Sequence, residues 1–542
     1  MKTVLTAKIS KENENYTILN RNISQEELIR LAANAVLETL KTEGYDLSTP
    51  CILCGGGNNG ADGMALACML KEAGAQVTVL YLGELYNLPA LSKKSAKKKA
   101  SAYDFDPALI GTPKTEEMSD LCRSFYKKVL AAEIDILTAL PQNFLMAEQP
   151  IFSVIVDAVY GTGMHGAITN PVACDTFDQI NQCTIPVVAV DIPSGVDPDT
   201  GAMDAHTLYA AQTVTMQHAK SGLMLYPGAD YAGEITEVNI GIEEDPRYRD
   251  LGLLCLEDED IASLLPIRPT RAFKGTFGRV LVVAGCPGMA GAAYMAAAAA
   301  YRAGAGLVEV VTHVKNRATL QQLLPEAIIL PYADKRSMKK ALKIALLRAD
   351  AIVLGCGLGQ NKHTKFAVKM VLNKAKAPLV LDADALSLLG QKPAWLKRMK
   401  KQQKAQTVIT PHAAEAARLL GKKITSDRVM ADVYTSSQAL CEIYKVNVLL
   451  KDARTIIRSH DGKISYINLS GSTALAGAGS GDILAGMIGG LSAAKTNALP
   501  TATTAALAAY LHGKAGEAAE LKVGARAAMA RDILNGLTEF NI

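Results

Sequence analysis

CILCGGGNNGADG, residues Cys51–Gly63, carries an apolar strand straight into a glycine loop. Glycines let a backbone approach a ligand closely, and Asn58, Asn59 and Asp62 supply amides and oxygens at fixed places. Working outward, short Val/Ile/Leu-rich runs alternate with longer helical patterns, which predicts parallel strands covered by helices on both faces. The first half offers strands at Cys51–Cys54, Gln76–Leu82, Ile151–Val159, Pro186–Ile192 and Gln212–Gln217. The second offers Arg279–Ala284, Leu307–Thr312, Ala351–Leu354, Leu379–Leu381, Thr407–Ile409 and Val446–Leu450. Each half therefore builds its own α/β sheet: a Rossmann-like three-layer domain over 1–242, a linker over 243–259 within a stretch (241–269) that carries acidic residues and prolines without sustained periodicity, and a second α/β domain over 260–542. Ser24–Thr39 reads as an amphipathic helix capped by Ser24, with Leu28, Leu31, Ala32, Ala35, Val36 and Thr39 near one face.

At 542 residues the chain exceeds one hydrophobic core. Its 57 basic and 53 acidic residues are too balanced to argue for a polyanion, so no nucleic-acid partner is expected. The basic run Lys93, Lys94, Lys97, Lys98 and Lys99 reads as a solvated face. Ten scattered cysteines indicate a reduced, cytoplasmic setting, and Cys51 and Cys54 point to opposite faces of their strand rather than to a shared metal. The N-terminus lacks a signal-peptide core, and the Ala-rich run Ala290–Ala300 is too short to span a membrane.

In open parallel sheets ligands collect at the carboxyl ends of strands, where the polar residues of the first half fall: Asn58, Asn59 and Asp62, then Asp157, then Asp191 and Ser194. Gly161–Gly166 adds backbone amides near an expected helix start, a cradle for phosphate. Asn59, Asp157 and Ser194 supply hard oxygens, which suit an alkali or alkaline-earth cation rather than zinc. In the second half, LAGAGSGDILAG (Leu475–Gly486) places glycines and Asp482 at a helix start, giving a phosphate cradle and a carboxylate for phosphoryl transfer.

GGGNNGADG, VDAVYGTGMHG and VAVDIPSGVDPDTG resemble the N-terminal domain of the bifunctional NAD(P)H-hydrate repair enzymes, which epimerises the hydrated cofactors NADHX and NADPHX. The resemblance implies that Asn58, Asn59, Gly60, Ala61 and Asp62, with Gly161, Thr162, Gly163, Met164, His165, Gly166 and Ala167, hold the hydrate. It further implies that Asp191 contacts the hydrate and that Asn59, Asp157 and Ser194 bind potassium. Epimerisation needs a proton donor or acceptor near the hydrated carbon, for which Asp191 is the first candidate and Asp157 the second.

FKGTFGRVLVVAG, GCGLG, DADAL, TPHAAE and LLKDART, with GAGSGD, resemble the C-terminal domain of the same family, an ADP/ATP-dependent NAD(P)H-hydrate dehydratase of ribokinase-like fold. By that resemblance Ala293, Gly357, His412 and Asp482 contact the hydrate, while Lys451, Asp452, Ala453, Arg454, Thr455 and Gly481 contact ADP or ATP. Asp482 is expected as the base and magnesium as the companion of the nucleotide, in a protein expected to self-associate as a homo-oligomer. Two alternatives stand beside this reading. One is a ribokinase-like vitamin or sugar kinase with a regulatory nucleotide-binding N-terminal domain; the other is a ligand-binding or scaffold protein with vestigial sites.

Overall fold

The computed structural model describes residues 1–86, 112–141, 144–145, 150–164, 166–248, 251–496 and 498–540. The Lys93–Lys99 run and His165 lie outside the described residues. The chain divides into two compact units, Val4–Gly252 and, together with Met1–Thr3, Leu253–Ile542. The short strand β1 (Lys2–Val4) belongs to the sheet of the second unit.

The first unit is built on β2 (Pro50–Cys54), β3 (Thr78–Tyr81), β4 (Asp135–Leu137), β5 (Val154–Ala158), β6 (Val187–Val190), β7 (Gln212–Met216) and β8 (Glu234–Val238). They form one seven-stranded sheet in the order β4-β3-β2-β5-β6-β7-β8, every pair parallel. Because β2, β5 and β6 are buried on both faces, they read as continuous apolar runs. Cys51 and Cys54 do face opposite ways: Cys54 joins the core under Gln25–Thr42, Asn58–Glu72 and Asp120–Ala131, and Cys51 the core under Pro171–Ile180. Burial pushes both thiols up, away from reactivity. The helix expected from Ser24 runs Gln25–Thr42, and the Ser24 hydroxyl accepts from the Glu27 amide at 3.1 Å. Its buried stripe includes Ile29, Ala33, Leu37 and Leu40 as well as Leu28, Ala32 and Val36, whereas Leu31 is exposed. The contact face lies to one side of the predicted one because helix neighbours at both i+3 and i+4 widen it.

The second unit adds β9 (Leu253–Cys255), β10 (Arg279–Val283), β11 (Leu307–His313), β12 (Ile328–Tyr332), β13 (Ala351–Leu354), β14 (Leu379–Leu381), β15 (Thr407–Ile409), β16 (Asn447–Leu450), β17 (Thr455–Arg458) and β18 (Ser465–Asn468). The sheet order is β1-β9-β18-β17-β16-β15-β14-β13-β10-β11-β12. It is parallel from β12 to β16, and β17 runs antiparallel to both its neighbours. The stretch expected as a linker thus carries a sheet strand, and its acidic residues cap the following helix: Glu257 and Asp260 form a reciprocal capping box at Asp258–Leu264. Charge that reads as solvated linker is helix-start chemistry here.

Ala290–Arg302 and Ser480–Ser492 pack through small residues against the apolar face of this sheet. A Cβ on Gly486 would stand 2.2 Å from the Ala296 carbonyl oxygen, and one on Gly490 2.5 Å from that of Ala300. Close backbone approach therefore fixes the N-terminus of Ser480–Ser492 over the sheet. Gly486→Ala should destabilise the second unit by about 1–3 kcal/mol, the cost of overpacking. Gly291→Ala, where a Cβ meets nothing within 4 Å, should stabilise it by about 0.5–1 kcal/mol. Urea denaturation followed by the single tryptophan, Trp395 in this unit, reads both.

Candidate functional site

In the first unit the strand order reverses between β2 and β5, so the segments leaving these neighbours diverge and open a crevice at their carboxyl ends. Asn58–Asp62 leaves β2 and Val159–Gly166 leaves β5, placing both predicted segments at that switch point. The loop between strand and helix is held tight by missing side chains: a Cβ on Gly55 would lie 2.2 Å from the Val159 carbonyl, and one on Gly60 2.0 Å from the Gly55 carbonyl. Helix Asn58–Glu72 begins at Gly57 without a side-chain cap, leaving its first amides for a ligand. The helix start expected near Gly161–Gly166 comes later, at Pro171, and the Asn170 side chain already accepts from the Val172 and Ala173 amides. The uncapped helix start belongs to the first loop.

Asp157 and Ser194 meet at the floor of this crevice, both wholly buried. The Ser194 hydroxyl donates to Asp157 Oδ1 at 2.6 Å, the Ser194 amide to Oδ2 at 2.7 Å, and the Val159 amide to Oδ1 at 3.2 Å. Burial pushes the Asp157 carboxyl up to about 6, against the pull of these donors. Asn59 packs beside Gly161, and its amide nitrogen is buried with no partner. Among the described residues no hydrogen bond joins Asn59 to Asp157 or Ser194.

Asp191, just past β6, adopts a left-handed backbone at φ 68°, unusual for a residue with a side chain. Its Oδ1 accepts from the Met216 amide at 3.0 Å, from the Thr215 hydroxyl at 3.2 Å and from the Lys220 ammonium. Lys220 is 1% exposed, and its remaining donors go to Thr215 Oγ1 and the Met216 carbonyl, each at 3.1 Å. Asp62 carries a carboxyl raised well above its ordinary value by burial first and by the charges of Asp191 and Glu14 next. Sequence reasoning missed Lys220, because a lysine amid small and apolar residues reads as surface.

In the second unit the order reverses between β10 and β13. The loops beyond them are stitched together: the Gly285 amide donates to the Cys356 carbonyl at 3.0 Å and the Cys286 amide to the Gly357 carbonyl at 2.7 Å. Above them Cys356, Asp382 and Asp482 bring a sulfur and two carboxylate oxygens within 4.8 Å of one another. Asp382 Oδ1 accepts from the Lys451 ammonium at 2.9 Å and the Thr410 hydroxyl at 2.7 Å. Burial works against the Lys451 charge, yet Asp382 and Glu415 hold its pKa above the ordinary value. Asp482 lies in the first turn of Ser480–Ser492, whose start at Gly479 has no side-chain cap, and burial followed by the Asp382 charge pushes its carboxyl up to about 6.

A backbone bridge pairs His412 with Lys451, and Gly481 leaves room for Lys451 Nζ, 3.4 Å from where a Cβ would stand. His412 caps Ala413–Leu420 in a box with Glu415, whose carboxyl burial lifts to about 7. Asp452–Thr455 forms the turn into β17, closed by the Thr455 hydroxyl donating to the Asp452 carbonyl at 3.1 Å. Gly357 has φ 57° and faces Ala292 and Met289. Ala293 is fully buried in the core beside Gly285, so its methyl reaches no open space. Asp382 and Glu415 stand in the DADAL and TPHAAE motifs without being singled out, since their function depends on a lysine far away in sequence. The same holds for His512, buried against the Ser480 hydroxyl at 3.1 Å and lowered to about 4 by burial.

Residues 280–538 match a family profile described as NAD(P)H-hydrate dehydratase, and residues 25–104 and 96–222 match one described as YjeF-related protein N-terminus. The chain is 34% identical over 495 residues to the bifunctional NAD(P)H-hydrate repair enzyme of Moorella thermoacetica, covering 90% of this chain and 86% of the relative. It is 32% identical over 514 residues to that of Coxiella burnetii, covering 94% of each. Among solved structures, the ADP/ATP-dependent NAD(P)H-hydrate dehydratase of Bacillus subtilis co-crystallised with ATP and Mg2+ is 29% identical, with a TM-score of 0.44 over 52% of this chain and 95% of that one. Among the described residues no helix is long and apolar enough to cross a membrane.

The buried Asp157–Ser194 contact sets a stability test. Ser194→Ala removes the hydroxyl that donates to Asp157 and accepts from the Tyr160 amide at 2.9 Å, leaving that amide without this acceptor and Asp157 with only its two backbone donors. Calorimetry should show the first unit destabilised by about 1–3 kcal/mol; an unchanged transition would mean that water replaces the hydroxyl.

Proposed function

The chain belongs to the bifunctional NAD(P)H-hydrate repair enzymes, and on that premise we propose which residues act in each unit. The first unit interconverts the R and S forms of NADHX and NADPHX; the second dehydrates the S form, with ADP or ATP consumed and AMP or ADP released with phosphate. Asn58, Asn59, Gly60, Ala61 and Asp62 with Gly161–Ala167 hold the hydrate of the first unit, and Asp191 handles a proton at the hydrated carbon. The uncapped start of Asn58–Glu72 suits the pyrophosphate. Potassium would be held by the side-chain oxygens of Asn59, Asp157 and Ser194, a hard-oxygen set of the kind that suits it; the orphaned Asn59 nitrogen is a donor and calls for an acceptor on the hydrate. When bound, it supplies a fixed positive charge under the crevice. The free, scattered thiols suit a cytoplasmic protein.

In the second unit the carrying observation is Asp482, a carboxyl raised to about 6 at a helix start without a side-chain cap, beside the Lys451–Asp382 pair. Hydroxide is a poor leaving group. The hydrate's hydroxyl attacks the terminal phosphorus of the nucleotide while Asp482 accepts its proton, and the bridging P–O bond breaks as AMP or ADP leaves; the C–O bond then breaks, phosphate departs, and loss of a ring proton restores the double bond. Lys451, Asp452, Ala453, Arg454, Thr455 and Gly481 hold the nucleotide, and Gly357, His412 and the backbone at Ala293 border the hydrate. Magnesium arrives on the nucleotide phosphates. The Cys356–Asp382–Asp482 group fits it poorly, because the Lys451 ammonium already occupies Asp382.

Incubation with NADHX and ADP should yield NADH, AMP and phosphate; a stable phosphorylated product would identify a kinase instead. Asp482→Asn should abolish nucleotide-dependent recovery of NADH absorbance while epimerisation continues. Because the base must be ionised and its carboxyl sits at about 6, kcat/KM for dehydration should rise through pH 6 and level off above it. A rate flat from pH 5 to 8 removes Asp482 from the proton transfer.

A further inference from the structure

The epimerase half of the reading leaves one proton unassigned. Inverting the hydrated carbon by loss and return of its hydroxyl takes two transfers: the departing oxygen must gain a proton, and the incoming water must lose one. The departing hydroxyl and the incoming water lie on opposite faces of the carbon, so inversion is served by a group on each.

We propose that Asp62 is the proton donor and Asp191 the acceptor, and that Lys220 is the positioning residue that keeps these roles apart. The assignment rests on the reading of the first unit as an epimerase. Asp62 lies on Asn58–Glu72, which follows β2, and Asp191 follows β6, on either side of β5, and the Asp191 charge is among those that act on Asp62. Lys220 spends its donors on Asp191 Oδ1, Thr215 Oγ1 and the Met216 carbonyl, and so is anchored as well as buried. The Leu5 strand segment clamps it, with the Leu5 amide donating to the Ala219 carbonyl at 2.9 Å and the Ser221 amide to the Leu5 carbonyl at 2.8 Å. Asp191 Oδ1 is saturated, while Oδ2 accepts no hydrogen bond among the described residues and is the atom left for chemistry. Among the described residues no cation is paired with Asp62: burial, and then the negative charges of Asp191 and of Glu14 on helix Ala7–Arg21, favour its protonated form. A carboxylate held by a buried ammonium, beside a carboxyl that faces only negative charges, takes the acceptor role and leaves the donor role to its neighbour.

The step balances. Asp62 gives its proton to the hydroxyl, the C–O bond breaks, the ring nitrogen's lone pair forms the C=N bond, and water leaves. Water then adds to the other face of the planar carbon, its proton passes to Asp191 Oδ2, and the C=N pair returns to nitrogen. Proton exchange with solvent restores the starting state.

The test follows the R-to-S ratio of NADHX on the full-length protein without nucleotide, then adds ADP to measure dehydration in the same sample. Asp62→Asn and Lys220→Met should each lower epimerisation kcat by about 100-fold or more, with KM held within about twofold and dehydration of the S form unchanged. Asp62→Glu, which keeps the proton, should recover part of the loss. Wild-type kcat in Asp62→Asn, or a loss confined to KM, overturns the assignment; Asp62→Asn is nearly isosteric and decides the matter even where Lys220→Met fails to fold. If the unaltered protein does not interconvert the epimers, the epimerase reading itself fails, a different result from an active protein indifferent to Asp62.

Discussion

A buried lysine ion-paired to one carboxylate, beside a second carboxylate that has no cation of its own, is the arrangement on which both units depend. In the first unit it is Lys220 with Asp191, next to Asp62; in the second it is Lys451 with Asp382, next to Asp482. Burying an ammonium costs several kcal/mol unless it is paired and hydrogen-bonded, so each lysine is tolerated only because the chain returns a carboxylate to it. The neighbour then feels burial and a negative charge, which in Asp482 outweigh the pull of Cys356 and Lys451. Its carboxyl rises toward the pH at which a group gives and takes protons well.

Parallel sheets make this possible without using the core. Reversal of strand order separates the segments leaving two adjacent strands, and polar groups at those ends enter a crevice rather than a packed interior. The glycines do the complementary work. Gly55 and Gly60 bring backbone against backbone at the first crevice, and Gly486 and Gly490 bring the helix of Asp482 down onto Ala290–Arg302. The helix start therefore arrives at the site as a rigid group, its amides free and its first-turn carboxylate fixed.

Much of this was legible in the chain. The central strands are apolar on both faces, so β2, β5, β6, β13, β14 and β15 stood out as unbroken runs within a residue or a few of their ends. The edge elements did not: β8 (Glu234–Val238) is mostly half-exposed and carries two glutamates, and β17 and β18 pair antiparallel in a region with no helix between them. Glycine loops and the carboxylates beside them were readable because their local spacing sets their geometry. Lys220, Asp382 and Glu415 were not, because each acts through a partner on another strand, and only the fold brings such pairs together.

The central claim is that each site holds one charge-paired carboxylate and one that carries a proton more readily. Infrared difference spectroscopy of the full-length protein, comparing it with single Asp→Asn variants, addresses it directly. A protonated-carboxyl band should vanish with Asp62→Asn but survive the loss of the carboxylate at Asp382, and a second band should grow as the pH falls through about 6 and be absent from Asp482→Asn. Spectra in which neither substitution removes a protonated carboxyl between pH 5 and 7 would contradict the account.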